Sequence, residues 1–249
     1  MSASGRLVIL SGPSCAGKSP LDKALARLYP ALHARLRKLV LHNSRAPRPG
    51  ERDGVDYHFR PRQQVEALRS NPRYAVLDVR GDLQALDLEA LAKQLEGGDA
   101  FFEGNPFVGR VLLTHPSLAG VRRLSVFLAP LSREEILELK NPARRVALPD
   151  FVTDIMRRKL LRRTRKQKGE LALPDLENIE KRAGSAYQEL KEAHAFEHVI
   201  PNHDGEDSEN WDAFYWPLGD ARRALQAFAA LLEGRPAAGV EKWERDLAP

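Results

Sequence analysis

The chain has 249 residues, 43% hydrophobic and 29% charged, with 17 glycines and 17 prolines, a mixture that excludes a collagenous, low-complexity or disordered protein. Its single cysteine, Cys15, excludes an intrachain disulfide framework and suits a reducing cytosol. The net charge of +5 is local: residues 140–170 hold eleven basic against three acidic side chains, so the remainder is slightly acidic. No apolar run approaches the roughly 20 residues of a membrane span, and the run 7–10 is too short for a secretory signal. A soluble, cytoplasmic protein without a membrane partner is expected.

In chain order, strands are predicted at 7–10, 39–41, 74–79, 100–103, 124–129 and 196–200, from short β-branched or apolar runs. Helical spacing is predicted at 21–28, 86–95, 133–139, 176–193 and 221–232, and a further helix from 147 through 165. Alternation of the two argues for an α/β fold with a mostly parallel sheet covered on both faces. The stretch 43–59, with Pro47, Pro49, Gly50 and Gly54, follows neither period and reads as a structured loop or a short irregular hairpin. The tail after Gly234 reads as peripheral.

Between the first strand and the first helix stands Gly12-Pro-Ser-Cys-Ala-Gly-Lys18-Ser19, which fits G-x-x-x-x-G-K-S in the context that motif requires. The amides of Gly12, Ser14, Cys15, Ala16 and Gly17 can curl around phosphate oxygens. Lys18 can neutralise the β- and γ-phosphates, and Ser19 can ligate Mg²⁺. Pro20 is compatible with the first helical turn, whose N–H groups have no partner there. These residues imply a site for ATP with Mg²⁺ as cofactor. The seven histidines show no metal-ligand spacing for zinc.

Downstream lies Ser44-Arg45-Ala-Pro-Arg48-Pro-Gly-Glu51-Arg-Asp-Gly-Val-Asp56-Tyr57-His-Phe59. Together with the upstream loop it resembles guanylate kinase, where a T-R-x-x-R-x-G-E-x-x-G-x-D-Y-x-F stretch forms the acceptor-phosphate site. The resemblance implies a three-layer P-loop fold with an acceptor-binding lobe and a basic lid. It implies that Arg45, Arg48 and Tyr57, with Glu51, serve the phosphate of a nucleoside monophosphate. Planar guanidinium forks suit that task. The segments 125–135, 179–190 and 198–202 also resemble the family's, in the right order. By that likeness Arg182 contacts the donor phosphates and Asn202 lies near the adenine. The resemblance covers residues 5–232, with the core at about 5–40, 100–140 and 187–232, the acceptor lobe at 41–99, an extended lid at 141–186, and a tail at 233–249.

Several positions depart from the family pattern. Its guanine-binding serine falls on Leu41, its base-reading glutamate on Ala75, a phosphate-binding tyrosine on Leu83, and its two acids on Glu103 and Asn105. The phosphate grip is kept while the guanine grip is rebuilt or absent, and Asp78, Arg80, Asp82 and Asn105 are the polar candidates for a different readout. In the lid, Arg162, Arg165 and Lys168 are candidate donor-phosphate clamps, about half of the charges there being a solvated helix face. The implied activity is phosphoryl transfer from ATP to a nucleoside monophosphate, with Lys18, Arg45 and Arg182 as the catalytic cations and GMP the default acceptor. Two rivals remain at this point: a kinase of the same fold for another phosphorylated acceptor, and a non-catalytic phosphoprotein-binding module. The intact lysine loop argues against the second. A nucleic-acid partner is not expected, and the oligomeric state is open.

Overall fold

The computed structural model describes residues 5–48 and 50–248. The leading residues 1–4, the motif's Pro49 and the terminal Pro249 lie outside the described residues. The elements run β1 (Leu7–Ser11), α1 (Lys18–Leu28), α2 (Pro30–His33), β2 (Leu36–Lys38), β3 (His42–Asn43), β4 (His58–Phe59), α3 (Arg62–Ala67), β5 (Tyr74–Val79), β6 (Asp82–Asp87) and α4 (Leu88–Glu96). They continue with β7 (Asp99–Gly104), α5 (Pro106–Thr114), β8 (Arg123–Ala129), α6 (Arg133–Leu139), α7 (Leu148–Lys168), α8 (Leu173–Lys191), β9 (His198–Pro201) and α9 (Gly219–Leu232).

A five-stranded sheet in the order β2-β7-β1-β8-β9 is parallel throughout. Alternation along β1 sorts its side chains between two cores. Leu7 and Ile9 join Phe102, Phe127, Val108, Ala186 and Leu190 on one face. Val8 and Leu10 join Phe101, Val126, Leu25 and Phe228 on the other. This is the predicted covered parallel sheet. A second sheet, β4-β3-β6-β5, is mixed and builds the smaller lobe over Val65, Leu83 and Ala85.

Three expectations need correction. Residues 39–41 are not a strand: Leu39 and Leu41 are buried links between β2 of the large sheet and β3 of the small one. The stretch from 86 starts as strand, because Leu86 pairs with Ala75, and the helix begins at Leu88 behind the Asp87 N-cap. The tail is not peripheral. Trp243 and Leu247 are buried in the main core, Glu241 bridges Val199, and Lys140 donates to the carbonyls of Asp246 and Leu247. A tail that offers a tryptophan and a leucine to an apolar surface gains from covering it.

Candidate active site

A cleft of about 730 Å³ runs between the C-terminal edge of the parallel sheet, the small lobe and the α7–α8 arm. At its floor the chain turns from β1 into α1. Gly12 has φ +153°, and a Cβ there would lie 2.4 Å from the Leu128 carbonyl oxygen. Gly17 has φ +101°, and a Cβ would lie 2.5 Å from Asn202 Nδ2. Both positions therefore require glycine, and the loop's amides are left at the α1 N-terminus, where no side chain caps them.

Lys18 is buried, and its ammonium donates to the carbonyls of Gly12 at 2.9 Å and Pro13 at 2.7 Å. One of its three N–H groups remains. Burial lowers its pKa, opposed by Glu206, Glu103 and Glu189. Cys15 is buried, and burial, reinforced by Glu206, pushes its thiol pKa up. It is a protonated, unreactive side chain whose contribution is its backbone.

Asn202 is fully buried behind the loop and does not line the cleft. Its Nδ2 donates to the Ala16 carbonyl at 2.8 Å and the Asp204 carbonyl at 2.6 Å. Its amide ties the phosphate loop to the segment after β9.

Ser19 Oγ donates to Glu103 Oε1 at 2.8 Å. Glu103 thus lies beside the phosphate loop, on the same cleft as Arg45, Arg48 and Tyr57. Burial raises its pKa, with Lys18 opposing. Two adjacent oxygen donors at the end of a phosphate loop fit Mg²⁺, a hard cation that takes oxygen ligands and keeps several waters.

In the small lobe Arg45 forms a two-pronged pair with Glu51, Nη1 to Oε2 at 2.6 Å and Nη2 to Oε1 at 2.7 Å, and lies over the Tyr57 and Phe59 rings. Glu51 also accepts from the Arg48 amide at 2.8 Å. It thereby fixes the Arg45 guanidinium and the backbone at Arg48. Burial pushes the Glu51 carboxyl up, but Arg45 and the Arg48 amide outweigh it and hold the pKa low. For Arg45 burial works downward and the Glu51 carboxylate reverses it. Arg45, Arg48 and Tyr57 all line the cleft.

From the arm, Arg182 is buried and its Nε donates to Ser14 Oγ at 3.0 Å. Burial first, then Arg163, Arg48 and Arg80, drive its pKa down. These cations lie within electrostatic reach of one another across the cleft. The α7 residues that line the cleft are not the three named from the sequence. Arg162 pairs with Asp207, Lys168 with Asp175, and Arg165 is exposed on the solvent face, whereas Arg163 and Lys166 line the cleft. The helix phase carries the signal for them: Val152, Met156, Lys159, Arg163 and Lys166 follow steps of four and three along one face.

Two residues of the small lobe are placed as follows. Leu83 is buried in the lobe's own core, and its neighbour Gln84 faces the cleft. Asp78 is exposed and accepts from the Gly81 amide at 2.7 Å as a turn residue, outside the cleft wall. Asn105 lines the cleft but is the α5 N-cap, accepting from the Phe107 amide at 2.8 Å. Leu41 is buried, and Ala75 packs against the main core. Arg80 and Asp82, named from the sequence, line the cleft, and Gln84, Arg163 and Glu206 are cleft residues outside the sequence-based site assignment.

Comparison with known proteins places this geometry. Residues 4–77 match the family model described as guanylate kinase. The guanylate kinase of Corynebacterium diphtheriae is 30% identical over 211 residues, spanning 81% of this chain and 89% of that protein. The guanylate kinase of Mycolicibacterium paratuberculosis is 35% identical over 166 residues, 61% of this chain and 66% of that one. The crystal structure of guanylate kinase from Anaplasma phagocytophilum shares the fold, with a TM-score of 0.52 at 18% identity, covering 94% of this chain and 87% of that one. With a P-loop floor, an arginine-bearing acceptor lobe and this sequence relationship, the chain belongs to the guanylate kinase family.

Proposed function

We propose that this chain transfers the γ-phosphoryl group of ATP to the phosphate of a nucleoside monophosphate, GMP being the default acceptor, in the cytoplasm. The observation that carries the reading is the convergence of Lys18, Arg48, Arg163 and Arg182 on one cleft between a phosphate loop and an arginine lobe. Burial first, then Arg163, Arg48 and Arg80, lowers the Arg182 pKa, and a polyanion held among these cations would relieve that repulsion.

In the reaction an oxygen of the acceptor phosphate forms a bond to Pγ as the bond from Pγ to the ADP oxygen breaks. ADP and a nucleoside diphosphate result. Phosphoryl transfer needs little covalent help from the protein, so positioning and charge stabilisation are its work. Lys18 and the loop amides hold the β- and γ-phosphates, and Arg182 and Arg163 reach the transferring group from the arm. Arg48 and Arg45, oriented by Glu51, hold the acceptor phosphate with Tyr57. Ser19 and Glu103 would hold Mg²⁺, which neutralises phosphate charge when bound. Closure of the lobe and arm on the two nucleotides keeps water from the γ-phosphate.

The intact lysine loop favours an enzyme over a phosphoprotein-binding module. A dinucleoside polyphosphate that joins adenosine to guanosine through five phosphates tests the reading by calorimetry. It should bind at least about a hundredfold more tightly than ATP or GMP alone, since the linked second half binds intramolecularly. Affinity no better than that of ATP would refute a two-site cleft.

A further inference from the structure

The acids along the cleft differ in what they face. Glu51 is bound to Arg45, Asp56 to Lys38 at 3.0 Å, and Glu103 to Ser19, while Asp82 faces Lys181 at 4.0 Å and Asp212 is exposed. Glu206 stands apart. It lines the cleft, and its Oε2 is buried without a hydrogen-bond partner among the described residues.

The segment that carries Glu206 lies directly on the phosphate loop. A Cβ at Gly205 would sit 2.1 Å from the Cys15 carbonyl oxygen, so only glycine lets the two backbones approach this closely. On the other side of Glu206, Asp207 Oδ1 lies 3.9 Å from Cys15 Sγ, and the Asp207 carboxylate is held by Arg162 at 2.7 Å and Lys159 at 3.6 Å from α7. The Asp204 carboxylate accepts from Ser208 Oγ at 2.8 Å, from Asn210 Nδ2 at 2.9 Å and from the Ala221 amide of α9 at 3.0 Å. The Trp211 indole donates to the Asp204 and Gly205 carbonyls at 2.8 and 3.1 Å. The backbone on both sides of Glu206 is therefore fixed, and the carboxylate is kept beside the loop.

The cations of the phosphate site lack a bonded carboxylate. Arg45 has Glu51, and Arg80 has the fully buried Glu189, whose Oε1 meets its Nη2 at 2.5 Å. Lys18 donates to two carbonyls and Arg182 to a hydroxyl. Burial lowers the Lys18 pKa, and Glu206 is the foremost carboxylate opposing it. At Arg182, where burial and then Arg163 act downward, Glu206 again opposes. A buried carboxylate oxygen without a donor costs free energy, and attraction to these cations offsets it. The same two cations hold the donor's phosphates in the reaction given above. A triphosphate on them meets a like charge kept at its side, in a site where little water screens the repulsion.

Resting on that donor assignment, we propose that Glu206 is an internal counter-ion of the phosphate site. It neutralises Lys18 and Arg182 while the site is empty, competes with the donor's phosphates for them, and so weakens the hold on ATP and hastens the release of ADP. Its carboxylate acts on the phosphate chain and leaves ribose and base untouched.

The test is calorimetric binding of ATP, ADP and inorganic tripolyphosphate, with and without Mg²⁺ and without any acceptor, to the native chain, Glu206→Gln and Glu206→Ala. Glutamine keeps the shape and removes the charge, and alanine removes both, so a new bond made by the amide cannot imitate the effect in the two variants. Melting curves verify the fold of each. Both variants should bind all three ligands about 5–50-fold more tightly. The gain with tripolyphosphate should match that with ATP, and it should be larger without Mg²⁺, when the bare phosphates carry more charge. ADP release in stopped flow should slow by a similar factor. Weaker ATP binding with tripolyphosphate unmoved would place Glu206 on the ribose or base, and a loss confined to the Mg²⁺ complexes would make it a metal ligand. Either result, or affinities unchanged within about twofold, overturns the proposal. Tighter ATP binding in variants of a chain that uses no nucleoside monophosphate would refute the kinase reading alone, and a native chain that binds none of the three ligands would overturn both.

Discussion

Asn202→Ala separates loop support from base contact. The native side chain donates two hydrogen bonds, to Ala16 and Asp204 carbonyls, from a fully buried position. Two such bonds contribute about 1 kcal/mol each, and a stranded buried carbonyl costs about 1–3 kcal/mol, so the variant should lose about 2–4 kcal/mol. For a chain of this size each kcal/mol moves Tm by about 2–4 °C, giving a fall of about 5–15 °C. The P-loop should loosen with it, raising the KM for ATP while the KM of the acceptor and the ratio of ATP to GTP use stay unchanged. Calorimetric melting and steady-state kinetics read both. An unchanged Tm with an altered ATP to GTP ratio would mean that Asn202 contacts the purine, and the loop-support argument would be wrong.

Arg48→Ala should weaken the acceptor and spare ATP. Its side chain is 44% exposed, so the loss is set at about 1–2 kcal/mol, a 5–30-fold rise in acceptor KM in steady-state assays. Burial raises the Glu103 carboxyl pKa, so that group takes up its proton at higher pH than an ordinary glutamate. Only the ionised form ligates a cation, so the Mg²⁺ concentration for half-maximal rate should rise as pH falls through that raised value, and Glu103→Gln should flatten the dependence in Mg²⁺ titrations at several pH values. Deleting residues 241–249 exposes the core surface under Trp243 and Leu247 and should cost about 3–6 kcal/mol by denaturant unfolding, at about 1.5–3 kcal/mol per buried side chain. A tail that merely lies on the surface would leave the midpoint unchanged.

The floor of the site was legible because its constraints are local. A glycine-lysine loop between an apolar strand and a helix permits little else, and the arginine loop of the small lobe likewise carries its own spacing. Charge counting could not choose among the lid cations because it ignores helix phase: Arg163 continues the row through Met156 and Lys159 and lines the cleft, whereas Arg162 and Arg165 lie off it. Leu83 and Gln84 illustrate the same point in a strand, where a shift of one residue exchanges core and cleft. The Arg80–Glu189 pair spans 109 positions, and only folding brings the β5–β6 turn against α8. The tail escaped notice because its two anchors are spaced for an irregular chain crossing a surface and follow neither helical nor strand period.

The central claim is acceptor-dependent phosphoryl transfer through the P-loop lysine. It is tested most directly by ADP release from ATP and Mg²⁺ with and without each nucleoside monophosphate, for the native chain and Lys18→Met. The prediction is GMP-dependent ADP formation at about 1–100 s⁻¹, lowered by at least about a hundredfold in a folded Lys18→Met variant. ADP formation indifferent to every nucleoside monophosphate, or a near-native rate in that variant, would contradict it.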